Sequence, residues 1–253
     1  QAMWNIDKNN LWGNVDGFYH RSNKGGGYWD FNKKLPESWN VSYRDLTLKV
    51  SPTSFKHTGL FPEQSANWDF VYNAIKGKKD VKILNLFGYT GAASMVASMA
   101  GASEVVHVDA SKGINEWAKE NMKLSGLQNN TIRFIVDDAL KFTSREIRRG
   151  RKYDGIIMDP PSYGRGPKGE IWKIEESIYP LVELTTQILS KDALFFLINS
   201  YTTGLQPAVL SYMMNTAIVK KFGGSVEASE IGLPVTESGL VLPCGASGRW
   251  QRA

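Results

Sequence analysis

The chain has 253 residues, of which 42% are apolar, 22% charged and 11% aromatic, and its net charge is +5. That composition supports one large core, since domains run to about 100–200 residues, and it excludes a disordered or collagen-like chain. No apolar run reaches the roughly 18 residues of a membrane helix, and a single cysteine, Cys244, cannot form an internal disulfide. His20, His57 and His107 have no paired spacing, so no metal is expected. The start lacks a basic segment followed by an apolar run, so the expected setting is the reducing cytoplasm. The positive balance favours an anionic partner.

Residues 1–56 form a region of their own texture. Trp4, Trp12, Trp29 and Trp39 are half of the eight tryptophans, set among Gly25, Gly26, Gly27 and short polar runs, a pattern that predicts small β-hairpins. Eight basic and five acidic side chains in this stretch carry a net +3 of the whole +5. Two readings stand: the tryptophans pack this sheet onto the main domain, or an aromatic, basic face binds single-stranded nucleic acid. The main domain is expected over 57–253.

From residue 81 onward, apolar and β-branched runs alternate with amphipathic segments. Strands are predicted at 81–87, 104–109, 132–136, 153–159, 193–200, 226–231 and 240–242, and helices at 90–100, 111–125, 138–147, 172–190 and 205–219. Such alternation predicts an α/β fold with a doubly wound parallel sheet, covered by helices on both faces.

In such a sheet the ligand lies beyond the carboxyl ends of the strands, near the point where strand order reverses. The first strand ends in Asn85-Leu86-Phe87-Gly88-Tyr89-Thr90-Gly91 and leads into a helix. Gly88 and Gly91 permit a tight turn and close backbone approach. Eighteen residues past Gly91 the second strand ends in Asp109-Ala110, where a carboxylate accepts from ribose hydroxyls. Phe87 stands near where a dinucleotide fingerprint wants glycine, which disfavours NAD, and no G-x-x-x-x-G-K-[ST] run exists for a nucleoside triphosphate. S-adenosylmethionine has no phosphate and tolerates this turn. Asp138, after the third strand, is placed either to accept from an adenine amino group or to cap the helix at 138–147.

The fourth strand ends in Asp159-Pro160-Pro161-Ser162-Tyr163. Two prolines stiffen the turn and remove two donors, leaving carbonyls and one carboxylate to hold a planar amino or ring nitrogen toward a sulfonium methyl. Tyr163 is available to stack on an everted base. Beyond it, Gly164 to Lys173 is glycine-punctuated, and Arg165 and Lys168 read either as phosphate contacts on a mobile lid or as solvated side chains. The run Arg145, Arg148, Arg149, Arg151, Lys152 enters the fourth strand from its other end and reads as a solvated edge.

On Thr58-Gly59-Leu60-Phe61-Pro62-Glu63-Gln64, Asn85 to Gly91, Val108-Asp109-Ala110-Ser111, Asp137-Asp138-Ala139 and Met158-Asp159-Pro160-Pro161, in this order, the chain resembles the class I S-adenosylmethionine-dependent methyltransferases. Within them it is similar to the bacterial 23S ribosomal RNA enzymes that modify cytosine C5 or guanine N7. The resemblance implies a seven-stranded, Rossmann-like sheet with an antiparallel last hairpin. It implies a cofactor rim of Phe61, Gln64, Asn85, Phe87, Gly88, Tyr89, Thr90, Gly91 and Ala110. It further implies Asp109 on the ribose, Asp138 on the adenine and Asp159 at the methionine end. The catalytic group would be Asp159, Pro160, Pro161 and Tyr163, with Ser162, Tyr163, Arg165 and Lys168 toward substrate.

The cytosine C5 enzymes carry a Ser-Cys-Ser-Gly run after the fifth strand, whose thiolate attacks C6. Here the stretch is Asn199-Ser200-Tyr201-Thr202-Thr203-Gly204, without a cysteine, and Cys244 reads as a small buried apolar residue. The separate N-terminal RNA-binding module of that group is also absent from this stretch of sequence. Methylation of a base nitrogen in ribosomal or other structured RNA is therefore the leading expectation. Its alternatives are cytosine C5 methylation, a small-molecule or protein substrate, and a catalytically idle RNA-binding protein.

Overall fold

Seven strands from the second half of the pattern assemble into one sheet, and the hairpins expected before them form separately. The computed structural model describes residues 5, 14–22, 26–54, 56–166 and 168–252, so Trp4, Trp12 and Gly25 lie outside the described residues. The chain divides into two compact units, Gln1–Phe61 and Pro62–Ala253.

In the first unit, β1 (Gly17–Arg21) pairs antiparallel with β2 (Gly27–Phe31), and β3 (Trp39–Tyr43) with β4 (Leu46–Val50). Leu46, Leu48 and Val50 alternate along β4 and are buried, as a two-residue period requires. Trp29 turns inward, its indole N–H donating to the Thr53 carbonyl at 3.0 Å.

In the second unit, a 3-10 turn (Pro62–Gln64) leads into α1 (Ser65–Ile75). Then follow β5 (Lys82–Leu86), α2 (Ala92–Met99), β6 (Glu104–Asp109), α3 (Lys112–Leu124), β7 (Ile132–Val136), α4 (Ala139–Arg148) and β8 (Gly155–Met158). A small hairpin, β9 (Tyr163–Arg165) and β10 (Ile171–Lys173), precedes α5 (Ile174–Thr186), β11 (Phe195–Ser200) and α6 (Pro207–Met214). A π-helical turn (Asn215–Val219) and α7 (Lys220–Phe222) lead to β12 (Ser225–Pro234) and β13 (Val241–Gln251). The sheet order is β12-β13-β11-β8-β5-β6-β7, with β13 antiparallel to both neighbours and the other pairs parallel. This is the expected doubly wound α/β sheet, and strand order reverses between β5 and β8.

Alternation along β5 assigns the two faces. Leu84 and Leu86 join the core with Phe142, Leu181 and Leu210 from α4, α5 and α6, while Ile83 is buried and Asn85 bonds to Ser94 of α2 on the other side. Each fully buried aliphatic side chain contributes about 1.5–3 kcal/mol.

Four elements differ from the sequence reading. Helix α1 was not expected, although Trp68, Val71 and Ile75 are a buried stripe at helical spacing. The helix expected from residue 172 begins at Ile174, because Ile171–Lys173 pairs with Tyr163–Arg165. The helix expected over 205–219 leaves the α-helical pattern at Met214 and continues as the π turn. Strand β13 is eleven residues long despite Pro243, Gly245 and Gly248. Residues 246–251 pair with both β11 and β12, whereas Pro243 and Gly245 pair with β12 alone and so lie where the strand has a free edge, and at Gly248 a Cβ would sit 2.6 Å from Met214 Sδ, so α6 packs directly on the strand backbone. Among the described residues no helix is long and apolar enough to cross a membrane, and no group of three or more His, Cys, Asp or Glu is placed to hold a metal ion.

His107 sits fully buried on β6, its Nδ1 3.0 Å from Ser94 Oγ, and burial pushes the imidazole down to about 4. A neutral imidazole that must charge on unfolding stabilises the fold above pH 6.5 and loses that contribution as pH falls toward 4. The full difference is roughly 3 kcal/mol. The expected result is that the stability advantage of wild type over His107→Asn, measured by urea unfolding, shrinks by about that amount between pH 7 and pH 4. An advantage independent of pH would show that the ring is not held neutral.

Candidate active site

The site is built where β5 and β8 diverge, at their carboxyl ends. After β5 the chain turns sharply: Phe87, Tyr89 and Gly91 have φ of 58°, 50° and 90°. Two of these are not glycine, and holding such residues in the left-handed region costs of order 1–3 kcal/mol each. Gly88 serves a different purpose, since a Cβ there would lie 2.3 Å from the His107 ring. The turn is closed by Gly88 N–H donating to the Val108 carbonyl and Gly91 N–H to the Gly88 carbonyl, both at 3.0 Å. The Thr90 carbonyl accepts from the buried Asn121 amide at 2.8 Å.

Asp109 ends β6 facing this turn. Its Oδ2 accepts from Tyr89 N–H at 3.0 Å and its Oδ1 from Ser111 N–H at 2.9 Å. Burial raises its pKa, while the two amides oppose the shift. Each oxygen keeps a lone pair for a further donor. Ala110 follows, half-buried. Asp138 caps α4 through Lys141 N–H at 2.9 Å, and Asp137 pairs with Arg145. Asn85 is buried in its bond to Ser94, and the Phe87 ring lies 4.9 Å from that of Trp172. Phe61 closes the first unit, its ring 4.9 Å from that of His57.

Asp159 follows β8 and is enclosed by amides. Asn199, on β11, donates to Oδ1 at 3.0 Å, and Gln64 approaches Oδ2 at 3.4 Å. Those two side chains are themselves fixed. The Asn199 oxygen accepts from Ser247 Oγ at 2.9 Å, and the Gln64 oxygen accepts from Asn67 Nδ2 at 2.7 Å. Asn67 in turn donates to Ser247 Oγ at 2.8 Å and accepts from Arg249 Nε at 2.9 Å. Gln64 also donates to the Tyr201 hydroxyl at 3.0 Å, and that hydroxyl bonds to Glu63. Burial pushes the Asp159 carboxyl up to about 6, with the Asn199 amide pulling it down and the Glu63 carboxylate pushing it up. Burial, with Asp159 and Glu63 close by, also raises the Tyr201 phenol well above its usual range.

The proline turn is less open than its sequence suggests. The Pro161 carbonyl is occupied, accepting from the buried Trp172 indole at 2.6 Å. Pro160 is buried, Pro161 is exposed, and Ser162 Oγ lies 2.6 Å from Thr202 Oγ1. Tyr163 is 55% exposed on the β9–β10 hairpin, where Arg165 and Lys168 are also exposed. On that hairpin Glu170 pairs with Lys141 and accepts from Lys168 N–H at 2.8 Å. Past Thr202 the surface opens into a largely apolar groove of about 750 Å³ between α5 and α6, lined by Ile178, Tyr179, Leu205, Val209 and Tyr212.

The basic run is tied down at the amino end of the sheet. Arg149 and Arg151 pair with the buried Glu146, and Arg151 and Arg133 with Glu104. Cys244 is half-buried on β13, not fully buried as its sequence context suggested. Burial and the Glu63 carboxylate raise its pKa, the opposite of what a nucleophilic thiolate requires.

Sequence reasoning missed Glu63, Asn67, Asn199, Ser247 and Arg249. Asn199 alone left a local signal, a polar residue closing the apolar run Phe195 to Ile198. The others come from distant segments and meet only in the fold.

The family described as S-adenosylmethionine-dependent methyltransferase matches residues 18–204. The chain is 29% identical over 168 residues to ribosomal RNA large subunit methyltransferase K of Neisseria meningitidis, covering 66% of this chain and 47% of that protein. It is 35% identical over 129 residues to the K/L enzyme of Shewanella frigidimarina, covering 51% and 17%. The chain thus spans about half or less of the length of these curated relatives. A SAM-dependent methyltransferase structure from Agrobacterium tumefaciens superposes with a TM-score of 0.90 at 37% identity, covering 96% of this chain and 79% of that one. A putative methyltransferase complexed with SAH shares the fold at TM-score 0.72 and 20% identity, covering 95% and 63%.

Asn199→Ala removes the donor that lowers the Asp159 pKa and leaves the Ser247 hydroxyl without its acceptor. The expected result is a carboxyl titration moved above its wild-type position near 6, followed by carboxyl-carbon NMR, and a stability loss of about 1–3 kcal/mol. An unmoved titration would show that Asn199 does not tune this carboxylate.

Proposed function

The chain belongs to the S-adenosylmethionine-dependent methyltransferase family, and from that premise we propose that it methylates a base nitrogen in ribosomal or another structured RNA. The residues at the β5–β6 rim fit the cofactor. The Tyr89 turn offers close backbone approach, and the Asp109 carboxylate, set by two amides, retains lone pairs for ribose hydroxyls. Gln64, Gly88, Thr90, Gly91 and Ala110 would line the same rim, with Phe61 as a further candidate. Asp138 would serve the adenine through whichever lone pairs its helix-capping bond leaves free. Bound there, the cofactor would supply a sulfonium-bound, electrophilic methyl group for transfer to the target nitrogen, the sulfur retaining the bonding electrons.

The chain's own part is orientation. Asp159 carries the proposal: a carboxylate at the strand-order reversal, approached by an amide at each oxygen, accepts a hydrogen bond from a target amino or ring N–H and aims the nitrogen. Ionised, it also receives the proton that an amine releases on methylation, and its pKa near 6 suits that exchange near neutral pH. Pro160 and Pro161 hold the turn, the Trp172 bond to the Pro161 carbonyl adding to their stiffness. Tyr163 and Ser162 would face the everted base, with Arg165 and Lys168 toward phosphate. A carbon target is disfavoured because the stretch 199–204 holds no cysteine, and within it the Tyr201 hydroxyl is engaged by Gln64 and Glu63. RNA is favoured by the named activity of the K and K/L relatives and by the +5 charge.

Transfer of labelled methyl from S-adenosylmethionine to RNA from cells lacking this protein, with nucleoside analysis, tests the reading. A single nitrogen-methylated nucleoside is the expected product; label only in protein or metabolites would refute the RNA substrate. Asp109→Ala should weaken cofactor binding roughly 10- to 100-fold by calorimetry, the loss of bonds to a charged group. Asp159→Ala should lower kcat at least about 100-fold while changing cofactor Kd far less, whereas wild-type turnover would remove Asp159 from the mechanism. Cys244→Ser should keep full activity, and a dead variant would restore the carbon mechanism.

A further inference from the structure

We propose that the outer face of the β1–β2 hairpin is a stacking platform for single-stranded RNA, with Phe18 and Tyr28 as its contact rings and His20 joining them. The proposal rests on the RNA reading above and names where the chain holds unpaired nucleotides.

The register puts the three rings on one face. His20 lies directly opposite Tyr28, and Phe18 is two residues before His20 on the same strand. Their ring centroids form a continuous row, Phe18 to His20 at 4.8 Å and His20 to Tyr28 at 4.8 Å, the latter pair near parallel at 18°. Yet Phe18 is 52% and Tyr28 64% exposed. On the reverse face Tyr19 and Trp29 stand opposite each other, half-buried and edge to face at 5.4 Å, with the Trp29 indole bonded to Thr53, and Phe31 stacks on Trp29 at 5.9 Å while remaining 46% exposed.

A cross-strand aromatic pair contributes about 0.2–1 kcal/mol to a hairpin, and leaving most of two rings in water forgoes the larger gain of burial. Such a row suits a ligand that brings flat π-faces of its own. Nucleobases do so in any sequence, and proteins that hold single strands combine stacked aromatics with positive charge. Positive charge is near: residues 1–56 carry a net +3 and Lys33 and Lys34 follow β2, while Arg21, which closes β1, falls on the Tyr19–Trp29 face by alternation. Lys33 bonds to Asp16 at 2.6 Å, and Asp30 on the platform face lies 3.8 Å from His20. The surface is therefore mixed rather than uniformly basic, and stacking must supply most of the affinity.

The test uses the full chain and a single-stranded 12-nucleotide RNA carrying 5-iodouridine. Irradiation and peptide mapping should place adducts on Phe18 or Tyr28; adducts confined to other segments would overturn the platform even if a variant failed to fold. Phe18→Ala with Tyr28→Ala should weaken binding about 25-fold by anisotropy, roughly 5-fold for each ring, with at most a small drop in the unfolding midpoint, from the lost His20–Tyr28 pair, and unchanged cofactor affinity. The exchange Phe18→Tyr with Tyr28→Phe should bind within about twofold of wild type, because stacking needs a ring and not a hydroxyl. The loss in the alanine variant should stay constant as salt is raised, while overall affinity falls. Wild-type affinity in the alanine variant, alongside methyl transfer to RNA, would sink the platform and leave the function standing. Absence of both RNA binding and RNA methylation in wild type would sink both.

Discussion

A carboxylate drawn partly out of water needs a hydrogen-bond partner for each of its oxygens, and at Asp159 several distant segments of the second unit meet that demand. The amides of Asn199 and Gln64 approach one oxygen each, and Ser247, Asn67 and Arg249 fix those amides in turn. The chain of bonds ties together β8, β11, β13, α1 and the turn before it. Half-satisfied, such a network would cost more than an apolar core; joined throughout, it holds a unique arrangement. Its position also matters, because it stands where strand order reverses and the crossovers leave a crevice.

A second constraint operates one strand away. The turn after β5 holds Phe87 and Tyr89 in a left-handed conformation, a strain that surrounding bonds must offset. The Gly88 amide is anchored to Val108 and its α-carbon rests against the His107 ring, while His107 is held through Ser94 to Asn85. The buried polar chain on the far face of β5 thus supports the loop on its carboxyl end. Tyr89 N–H, turned by that strain, reaches Asp109 and orients its carboxylate.

Three tryptophans are held by a carbonyl partner. The indoles of Trp29, Trp172 and Trp250 donate to the carbonyls of Thr53, Pro161 and Gly223 and serve packing. At Trp29 the ring turns inward, and the most exposed rings of the first hairpin are Phe18 and Tyr28.

The sequence by itself determined the class of fold and marked the strand-end residues of the candidate site. Apolar alternation marked six of the seven strands closely, and Asp109 and Asp159 stood out as acidic residues closing apolar runs, because period and strand-end chemistry are local properties. It also carried the signal of α1 in Trp68, Val71 and Ile75, which the motif before it obscured. Only the tertiary structure decided what surrounds Asp159, since Gln64, Asn67, Asn199, Ser247 and Arg249 come from distant segments, Asn67 and Arg249 bonding across 182 positions, and no spacing rule links them. It decided, too, that the Pro161 carbonyl is occupied, that Gly88 is required by a histidine nineteen residues away, and that β13 persists through proline and glycine. In each case the deciding contact lies between segments that a chain folded back on itself brings together, and local preference yields to packing and pairing.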